Sequence, residues 1–248
     1  MAEALTSLKN PKVQLWRSLK DKKGRDKSGL FLVEGARMTE EALSSGFEVT
    51  ALLLREGELA PEAENIPLYL LPAHVFDAVT DTKSPQGIAA VLKKQTIPAK
   101  GHRLIALDSV QDPGNVGTII RTADAAGMDG VLLGPDCADV FSPKVLRSTM
   151  GSIFRMGLSF PDSLPEALRN LKQEGYSILS SQLDGDPFYD RKDVADRFVL
   201  IIGNEGNGVS DAVKQEATHR LRLPMRGGAE SLNAAVAAAV MMYDLTRD

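Results

Sequence analysis

Cysteine, histidine and long apolar runs are scarce in this chain of 248 residues, and each scarcity excludes a kind of protein. The single cysteine, Cys137, cannot form an internal disulfide, and with three histidines in all the chain can hardly build a zinc site. No apolar run approaches the ~18 residues that a membrane helix requires, and the first residues lack the apolar core of a secretion signal. We therefore expect no metal, no membrane partner and a location in the reducing cytoplasm.

Charge is unevenly distributed along the chain. The net charge is −4, yet residues 9–27 hold eight lysines and arginines against two aspartates, which gives this block +6 and leaves −10 for the rest. Trp16 lies among these cations. Such a block either is a solvated helix and loop or binds a phosphate-rich partner, and charge patterning leaves both interpretations open.

The first part of the chain alternates between strand and helix patterns, which predicts a small α/β domain. The expected strands are residues 31–35, 49–54 and 67–71, and the apolar segment 86–94 ends the alternation. The expected helices are residues 8–19, 36–46 and 74–80, and residues 21–29 are expected to form a polar loop. Residues 94–101 are polar and contain a proline and a glycine, as in a linker. Two domains are therefore expected, residues 1–97 and residues 103–248.

The rest of the chain alternates more regularly, as is typical of a parallel sheet. Six strand patterns lie between residues 103 and 224, and some of them, such as FVLII at 198–202, are apolar at every position. Strands of that kind are covered by helices on both faces, as in α/β proteins. Helical patterns lie between most of these strands, at residues 116–126, 143–149, 163–173, 209–216 and 231–246.

Three loops at the ends of these strands are rich in glycine, asparagine and acidic residues. Ligands bind at this edge of an open parallel sheet, so we expect the functional site in residues 107–127, 201–210 and 221–244. Each loop alone is ambiguous, because Asn115 and Ser231 could be helix caps and a glycine-rich loop is a weak signal. The motifs G-x-G-x-x-G and G-x-x-x-x-G-K-S/T are absent, which counts against a metabolic nucleotide-binding enzyme.

Taken together, the three loops resemble the motifs of the SpoU (TrmH-like) family of RNA 2′-O-ribose methyltransferases, in the SPOUT superfamily. The first motif, D-x-x-x-x-P-x-N-x-G-x-x-x-R-T-A, is matched by Asp108, Pro113, Asn115, Gly117, Arg121, Thr122 and Ala123. The second motif, G-x-E-G-x-G, is matched by Gly203, Glu205, Gly206 and Gly208. The third is matched by Leu223, Pro224, Met225, Ser231, Leu232 and Asn233, with leucine for the usual isoleucine at its start. The motifs are weak singly, but the ordered set is specific.

The resemblance implies a fold and partners. It implies an α/β methyltransferase domain with a deep trefoil knot, preceded by a small substrate-binding domain with a fold like that of ribosomal protein L30. The segments FLVEGARMTEEAL and SPQGIAAV resemble recurring segments of that substrate-binding domain. It also implies an RNA partner, with 23S ribosomal RNA preferred over transfer RNA, and a homodimer through the C-terminal domain. The small residues at 234–240 suit such a contact, but equally suit packing inside one monomer. A non-catalytic RNA-binding factor for ribosome assembly is the alternative from another class.

The resemblance further implies S-adenosylmethionine as the cofactor. The residues that would line its pocket, largely through backbone groups, are Gly203, Leu223, Met225 and Leu232. A bulky substitution, Gly203→Val, would then block the cofactor sterically while the fold persists.

Five residues are implied in catalysis: Arg121, Asn115, Glu205, Ser231 and Asn233. Arg121 would be the base or, because a guanidinium keeps its proton, would hold the target phosphate and stabilise the developing alkoxide. Asn115 and Asn233 would orient the ribose and Arg121. Glu205 would fix its loop or Arg121, and Ser231 would bind substrate, cap the last helix, or both.

Overall fold

The computed structural model describes residues 2–247, which form two compact units. Among these residues, the first unit holds 2–95 together with 139–155, and the second holds 96–138 together with 156–247. Residues 139–155 therefore pack within the first unit, although the predicted boundary assigned them to the domain at 103–248. As independent domains, residues 1–97 and 103–248 stay a prediction. No helix within residues 2–247 is both long and apolar enough to cross a bilayer.

Most of the helices and strands lie where the sequence patterns predicted them. The strands are Glu3–Ala4 (β1), Leu30–Glu34 (β2), Val49–Arg55 (β3), Leu68–Leu71 (β4), Ile88–Lys93 (β5), Arg103–Leu107 (β6), Gly130–Leu133 (β7), Gly157–Ser159 (β8), Ser177–Pro187 (β9), Phe198–Ile202 (β10) and His219–Arg222 (β11). The α-helices are Pro11–Ser18 (α1), Lys22–Ser28 (α2), Ala36–Leu43 (α3), Ala73–Val79 (α4), Pro113–Ala125 (α5), Pro143–Thr149 (α6), Leu164–Gln173 (α7), Asp211–Lys214 (α8) and Ala234–Leu245 (α9).

The first unit is built on a mixed sheet with the strand order β1-β4-β3-β5-β2. β5 is antiparallel to β2 and β3, whereas the pairs β3–β4 and β1–β4 are parallel. Helices α1 and α4 cover one face, where the buried side chains include Trp16, Leu53 and Phe76. The ring of Trp16 packs edge-on against Tyr69, with 5.0 Å between centroids. Trp16 is therefore a core residue, and its place among the cations gives no support to a phosphate-rich partner.

Residues 21–29, predicted as a polar loop, contain the helix α2. This helix has no apolar period to reveal it and is instead held by Arg25, which is 3% exposed. The Arg25 guanidinium donates to the carbonyl oxygens of Leu19 and Lys20, at 2.7 and 2.8 Å, and to Asp139 Oδ2 at 2.7 Å. Because Asp139 opens the segment 139–155, the same ion pair helps to hold that segment in the first unit.

The second unit contains a parallel sheet with the strand order β11-β9-β10-β6-β7-β8. Every residue of β10 is buried, as is every residue of β6 after Arg103. Helices α7 and α8 pack on one face of the sheet, and α9 contacts α5 and β10. The predicted α/β class with a parallel sheet is confirmed. β6 and β10 are neighbours although about 90 residues separate them, which brings the loops that follow them together.

Candidate active site

The loops after β6 and β10 are joined by hydrogen bonds at the carboxyl edge of the sheet. Asp108 Oδ2 accepts from the backbone N–H of Ser210 at 2.6 Å. The side-chain amide of Asn204 donates to the carbonyl oxygen of Ser109 at 2.8 Å. The first and second motif loops therefore lie side by side, at the edge where a parallel sheet binds ligands.

A chain of three side chains links these two loops to the third. The Asn233 amide donates to Asn115 Oδ1 at 2.9 Å, and the Asn115 amide donates to Glu205 Oε1 at 2.9 Å. Glu205 also accepts from the backbone N–H groups of Gln111 and Asp112, at 3.3 and 3.2 Å. Three of the five predicted catalytic residues are therefore in direct contact.

Glu205 is held in its charged form by these donors. Partial burial raises the pKa of Glu205, but hydrogen bonds from the Asn115 side chain and from nearby backbone N–H groups lower it by more, so the pKa lies below its ordinary value of 4.5. A carboxylate only accepts hydrogen bonds, which turns the amide nitrogen of Asn115 toward Glu205 and its oxygen toward Asn233. Glu205 makes no ion pair with Arg121 within the described chain. Of the two roles predicted for Glu205, the structure therefore shows the contact that fixes its loop and not a contact with Arg121.

The helix caps differ from those expected from the sequence. Asp112, rather than Asn115, caps α5, and its side chain accepts from the Asn115 N–H at 2.9 Å. Asn233 caps α9, where its oxygen accepts from two N–H groups of the first turn at 2.9 and 3.3 Å. The interpretations of Asn115 and Ser231 as caps are therefore wrong. Both ends of the Asn233 amide are in use, the oxygen on the helix and the nitrogen on Asn115.

Gly203 is required by its own loop. A Cβ at this position would lie 2.2 Å from the carbonyl carbon of Gly208 and from the amide nitrogen of Val209. Asn204 and Gly208 close the same loop by exchanging two backbone hydrogen bonds of 2.9 Å. In Gly203→Val the new side chain would displace this backbone, so the loop could not keep its form. That the rest of the fold persists in this variant stays a prediction.

A cavity of about 650 Å³ opens beside the three loops. It is lined by all four predicted cofactor residues and by three of the predicted catalytic residues: Gly203, Leu223, Met225, Leu232, Glu205, Ser231 and Asn233. Asn115 reaches this wall through its contacts with Glu205 and Asn233. Arg121 does not line the cavity; it is exposed on α5 and makes no hydrogen bond or ion pair with any residue among 2–247.

One wall of the cavity was not predicted from the sequence, and it lies within β9, directly after the residues that pair with β10. Four consecutive residues there line it: Ser181, Gln182, Leu183 and Asp184. β9 is parallel to β10, and its pairing with β10 ends at Ser180, so the rule that ligands bind where paired strands end could have included these residues. Lys214, on α8, also lines the cavity.

The cavity suits S-adenosylmethionine in size and in chemistry. Its volume lies within the ~300–1,000 Å³ of small-molecule sites, and Ile202, Leu223 and Leu232 supply apolar surface for a ring. The backbone groups of residues 223–232 form no backbone hydrogen bond within the described part of the chain, which leaves donors and acceptors for a ligand. Among residues 2–247, no group of three or more His, Cys, Asp and Glu side chains could hold a metal ion.

Similarity to known proteins identifies the family. Residues 102–243 match the SpoU rRNA Methylase family, and residues 10–90 match the MRM3-like substrate binding domain. The chain belongs to the SpoU rRNA methylase family. The predictions that this methylase uses S-adenosylmethionine and acts on RNA are confirmed by that membership, and the family implies the trefoil knot.

Relatives of this methylase match it over nearly their full length. A 23S rRNA (guanosine(2553)-2′-O)-methyltransferase from Bacillus subtilis is 42% identical, and the match covers 97% of this chain and 98% of that protein. An AdoMet-bound rRNA methyltransferase structure from Sinorhizobium meliloti is 30% identical with a TM-score of 0.89, over 99% of this chain and 98% of that one. AviRb from Streptomyces viridochromogenes, a SpoU methyltransferase solved with AdoMet, is 27% identical with a TM-score of 0.85, over 96% and 98%.

Proposed function

We propose that this methylase transfers a methyl group from S-adenosylmethionine to a ribose 2′-hydroxyl of 23S ribosomal RNA. The guanosine named for the Bacillus subtilis relative is the first candidate nucleotide. The observation that carries the proposal is the contact of Asn115, Glu205 and Asn233 beside one cavity. A site of this kind brings a bound cofactor and side chains from three separate loops to one place, as methyl transfer to RNA requires.

In this proposal the cofactor is held by Gly203, Leu223, Met225 and Leu232, which line the cavity. When bound, S-adenosylmethionine supplies an electrophilic methyl group on a sulfonium, which is already a good leaving group. The chain must therefore supply alignment and help with the hydroxyl proton. The unpaired backbone groups of residues 223–232 are suited to hydrogen bonds with an adenine and a ribose.

Arg121 acts on the RNA rather than on the cofactor. Its guanidinium is exposed and unpaired among the residues that the structure describes, so it is available to hold a phosphate. A guanidinium keeps its proton at neutral pH. Beside the 2′-oxygen it would stabilise the alkoxide that develops as the hydroxyl proton passes to solvent water. We therefore assign Arg121 electrostatic stabilisation and not the role of base.

Asn115, Asn233 and Glu205 position the reacting groups. Each accepts or donates within one hydrogen-bonded chain, so their orientations are fixed before RNA binds. Ser231 is exposed at the cavity and offers its hydroxyl to the ribose or its phosphate. These roles require no movement of the caps on α5 and α9.

The first unit selects the RNA. Within the basic block at 9–27, Arg25 is buried and paired with Asp139, and Lys12 pairs with Glu3. The remaining cations of the block are exposed or half-exposed: Lys9, Arg17, Lys20, Lys22, Lys23 and Lys27. Such cations attract phosphates without reading sequence. The match of residues 10–90 to a substrate binding domain supports the same role.

A homodimer through the second unit is the proposed assembly. On α9, Val236, Val240 and Tyr243 are 49%, 37% and 54% exposed, and their spacing places them on one side of the helix. Ala235 and Ala238 are buried within the unit, so α9 would pack in both directions. We place the enzyme in the cytoplasm, as the scarcity of cysteine suggests.

Transfer of labelled methyl groups into total RNA tests the function. We expect label on ribose in 23S RNA, and a loss of about a hundredfold with Arg121→Ala without weaker binding of S-adenosylmethionine. Arg220→Ala is the matched control, because Arg220 is an exposed arginine of the same unit that does not line the cavity. Label found only in transfer RNA would show that transfer RNA is the substrate instead of 23S RNA. Binding of RNA without transfer of any label would favour the non-catalytic RNA-binding alternative.

A further inference from the structure

The cavity wall formed by residues 181–184 is a bulge within β9. β11 pairs with β9 so that Arg220 lies opposite Ser180 and Leu221 lies opposite Asp186. Two consecutive residues of β11 thus pair with two residues of β9 that are six positions apart. The five residues of β9 between them, 181–185, do not pair with β11. Bulges of this kind redirect side chains beside binding sites, and this one places Ser181 to Asp184 on the cavity.

Gly185 closes the bulge against β11. A Cβ at Gly185 would lie 2.6 Å from the carbonyl carbon and oxygen of Arg220 and from the amide nitrogen of Leu221. The chain can therefore return to the sheet at this point only as glycine. Asp184 directly precedes this tight return, so its backbone is held beside the sheet rather than in a free loop.

The bulge brings to the cavity a carboxylate that has no hydrogen-bond or ion-pair partner among the described residues. The charged residues on the cavity wall are Asp184, Glu205 and Lys214. Glu205 accepts from the Asn115 amide and two backbone N–H groups, and Lys214 pairs with Asp211 at 3.3 Å. Asp184 makes no hydrogen bond or ion pair within residues 2–247. Its charge is therefore available to a ligand in the cavity.

We propose that Asp184 makes this cavity prefer the charged methyl donor over the spent cofactor. The inference rests on the cofactor site proposed above. S-adenosylmethionine carries a positive sulfonium, whereas S-adenosylhomocysteine, which has lost the methyl group, has a neutral thioether there. An unpaired carboxylate on the wall attracts the first through its sulfonium and lacks that attraction for the second. Donor binding is thereby favoured over retention of the product.

The size of this preference follows from the exposure of Asp184. Interactions between charges at exposed sites change an affinity by about fivefold at most, and a less polar cavity wall raises this toward about tenfold. Salt weakens such attractions, with a screening length of ~10 Å at ~0.1 M. The preference for the donor should therefore decrease as ionic strength rises.

Calorimetric titration of the full chain with both ligands, at about 0.05 M and about 0.5 M salt, tests the proposal. We expect Asp184→Asn to raise the Kd of S-adenosylmethionine about threefold to tenfold and that of S-adenosylhomocysteine less than about twofold at low salt. Asp184→Glu keeps the charge and should keep the ratio of the two Kd values. Asp186→Asn is the matched control, because Asp186 is an exposed acid two positions on that does not line the cavity.

Equal weakening of both ligands by Asp184→Asn would overturn the proposal, because the carboxylate would then contact a group that both ligands share. An unchanged ratio would overturn it too. So would an equal shift in Asp186→Asn, which would show an effect of net charge alone. A wild-type chain that bound neither ligand would contradict the proposed cofactor site itself, so the two failures are distinguishable.

Discussion

The oxygen and the nitrogen of the Asn233 side-chain amide make different hydrogen bonds, and substitutions can remove one without the other. Its oxygen caps α9, and its nitrogen donates to Asn115 Oδ1. In Asn233→Ala, loss of the cap costs ~1 kcal/mol. The oxygen of Asn115, a residue 8% exposed, also loses its donor, at a cost of ~1 kcal/mol more. Asn233→Ser keeps a good cap and loses only the hydrogen bond to Asn115. The free energy of opening α9 should therefore fall by ~2 kcal/mol in Asn233→Ala and by ~1 kcal/mol in Asn233→Ser.

The rate of methyl transfer should not rank these variants in the same order as their stability does. Both variants release Asn115 and, through it, Glu205, so both should slow transfer about tenfold to a hundredfold at saturating cofactor, since misplacement by ~1 Å costs that much. Ser163→Ala is the control, because Ser163 caps α7 in the same unit, with its Oγ accepting from the Glu166 N–H at 3.4 Å. This control should lose ~1 kcal/mol of local stability and keep its activity.

Two measurements decide between these expectations. Hydrogen–deuterium exchange of the peptide at the start of α9 gives the opening free energy, and single-turnover transfer of a labelled methyl group gives the activity. Transfer at the wild-type rate by Asn233→Ser would refute a part for the Asn115 contact in the reaction. An equal loss of transfer in Ser163→Ala would show that the activity follows general stability instead.

Three further predictions concern Glu205, Gly203 and Arg25. Because the folded-state pKa of Glu205 is lowered, its charge stabilises the fold fully above the ordinary pKa of 4.5, and that contribution is lost as pH falls below it. The stability lead of wild type over Glu205→Gln, from urea unfolding at several pH values, should therefore shrink below pH 4.5, and a lead constant with pH would contradict this. Gly203→Val should weaken S-adenosylmethionine binding in calorimetry and also speed amide exchange in residues 203–209, because its Cβ meets backbone; unchanged exchange would refute the clash. Arg25→Ala should destabilise the first unit by ~3 kcal/mol in thermal unfolding by leaving Asp139 unpaired, whereas Lys23→Ala, an exposed control, should change stability by less than ~0.5 kcal/mol.

The fold was predictable from sequence where local chemistry agrees with long-range packing. Helix α6 lies at the predicted residues, because Ser142 caps it and Pro143 occupies its first turn. Helix α2 was not predictable, since its anchor is a buried ion pair between Arg25 and Asp139, 114 positions apart. Trp16 was misleading for a related reason, because it lies within a sequence block rich in lysine and arginine, whereas its side chain packs in an apolar core.

The site was predictable to the level of residues but not of contacts. The family motifs named Asn115 and Asn233, yet these are 118 positions apart, and their hydrogen bond depends on the fold. The bulge at 181–185 was not predictable from periodicity, because the pairing of β9 with β11 skips these residues and resumes at Asp186, after Gly185 has passed close to the β11 backbone. The cap roles of Asp112 and Asn233 are likewise set by where the helices begin.

The most direct test of the central claim is the position of the methyl group on RNA. Unmodified 23S RNA is incubated with the chain and S-adenosylmethionine, and ribose 2′-O-methylation is mapped at single-nucleotide resolution. We predict one new 2′-O-methylguanosine, at the position that corresponds to guanosine 2553 in the name of the Bacillus subtilis relative. A methyl group on a base, or no methyl group in 23S RNA, would contradict the account.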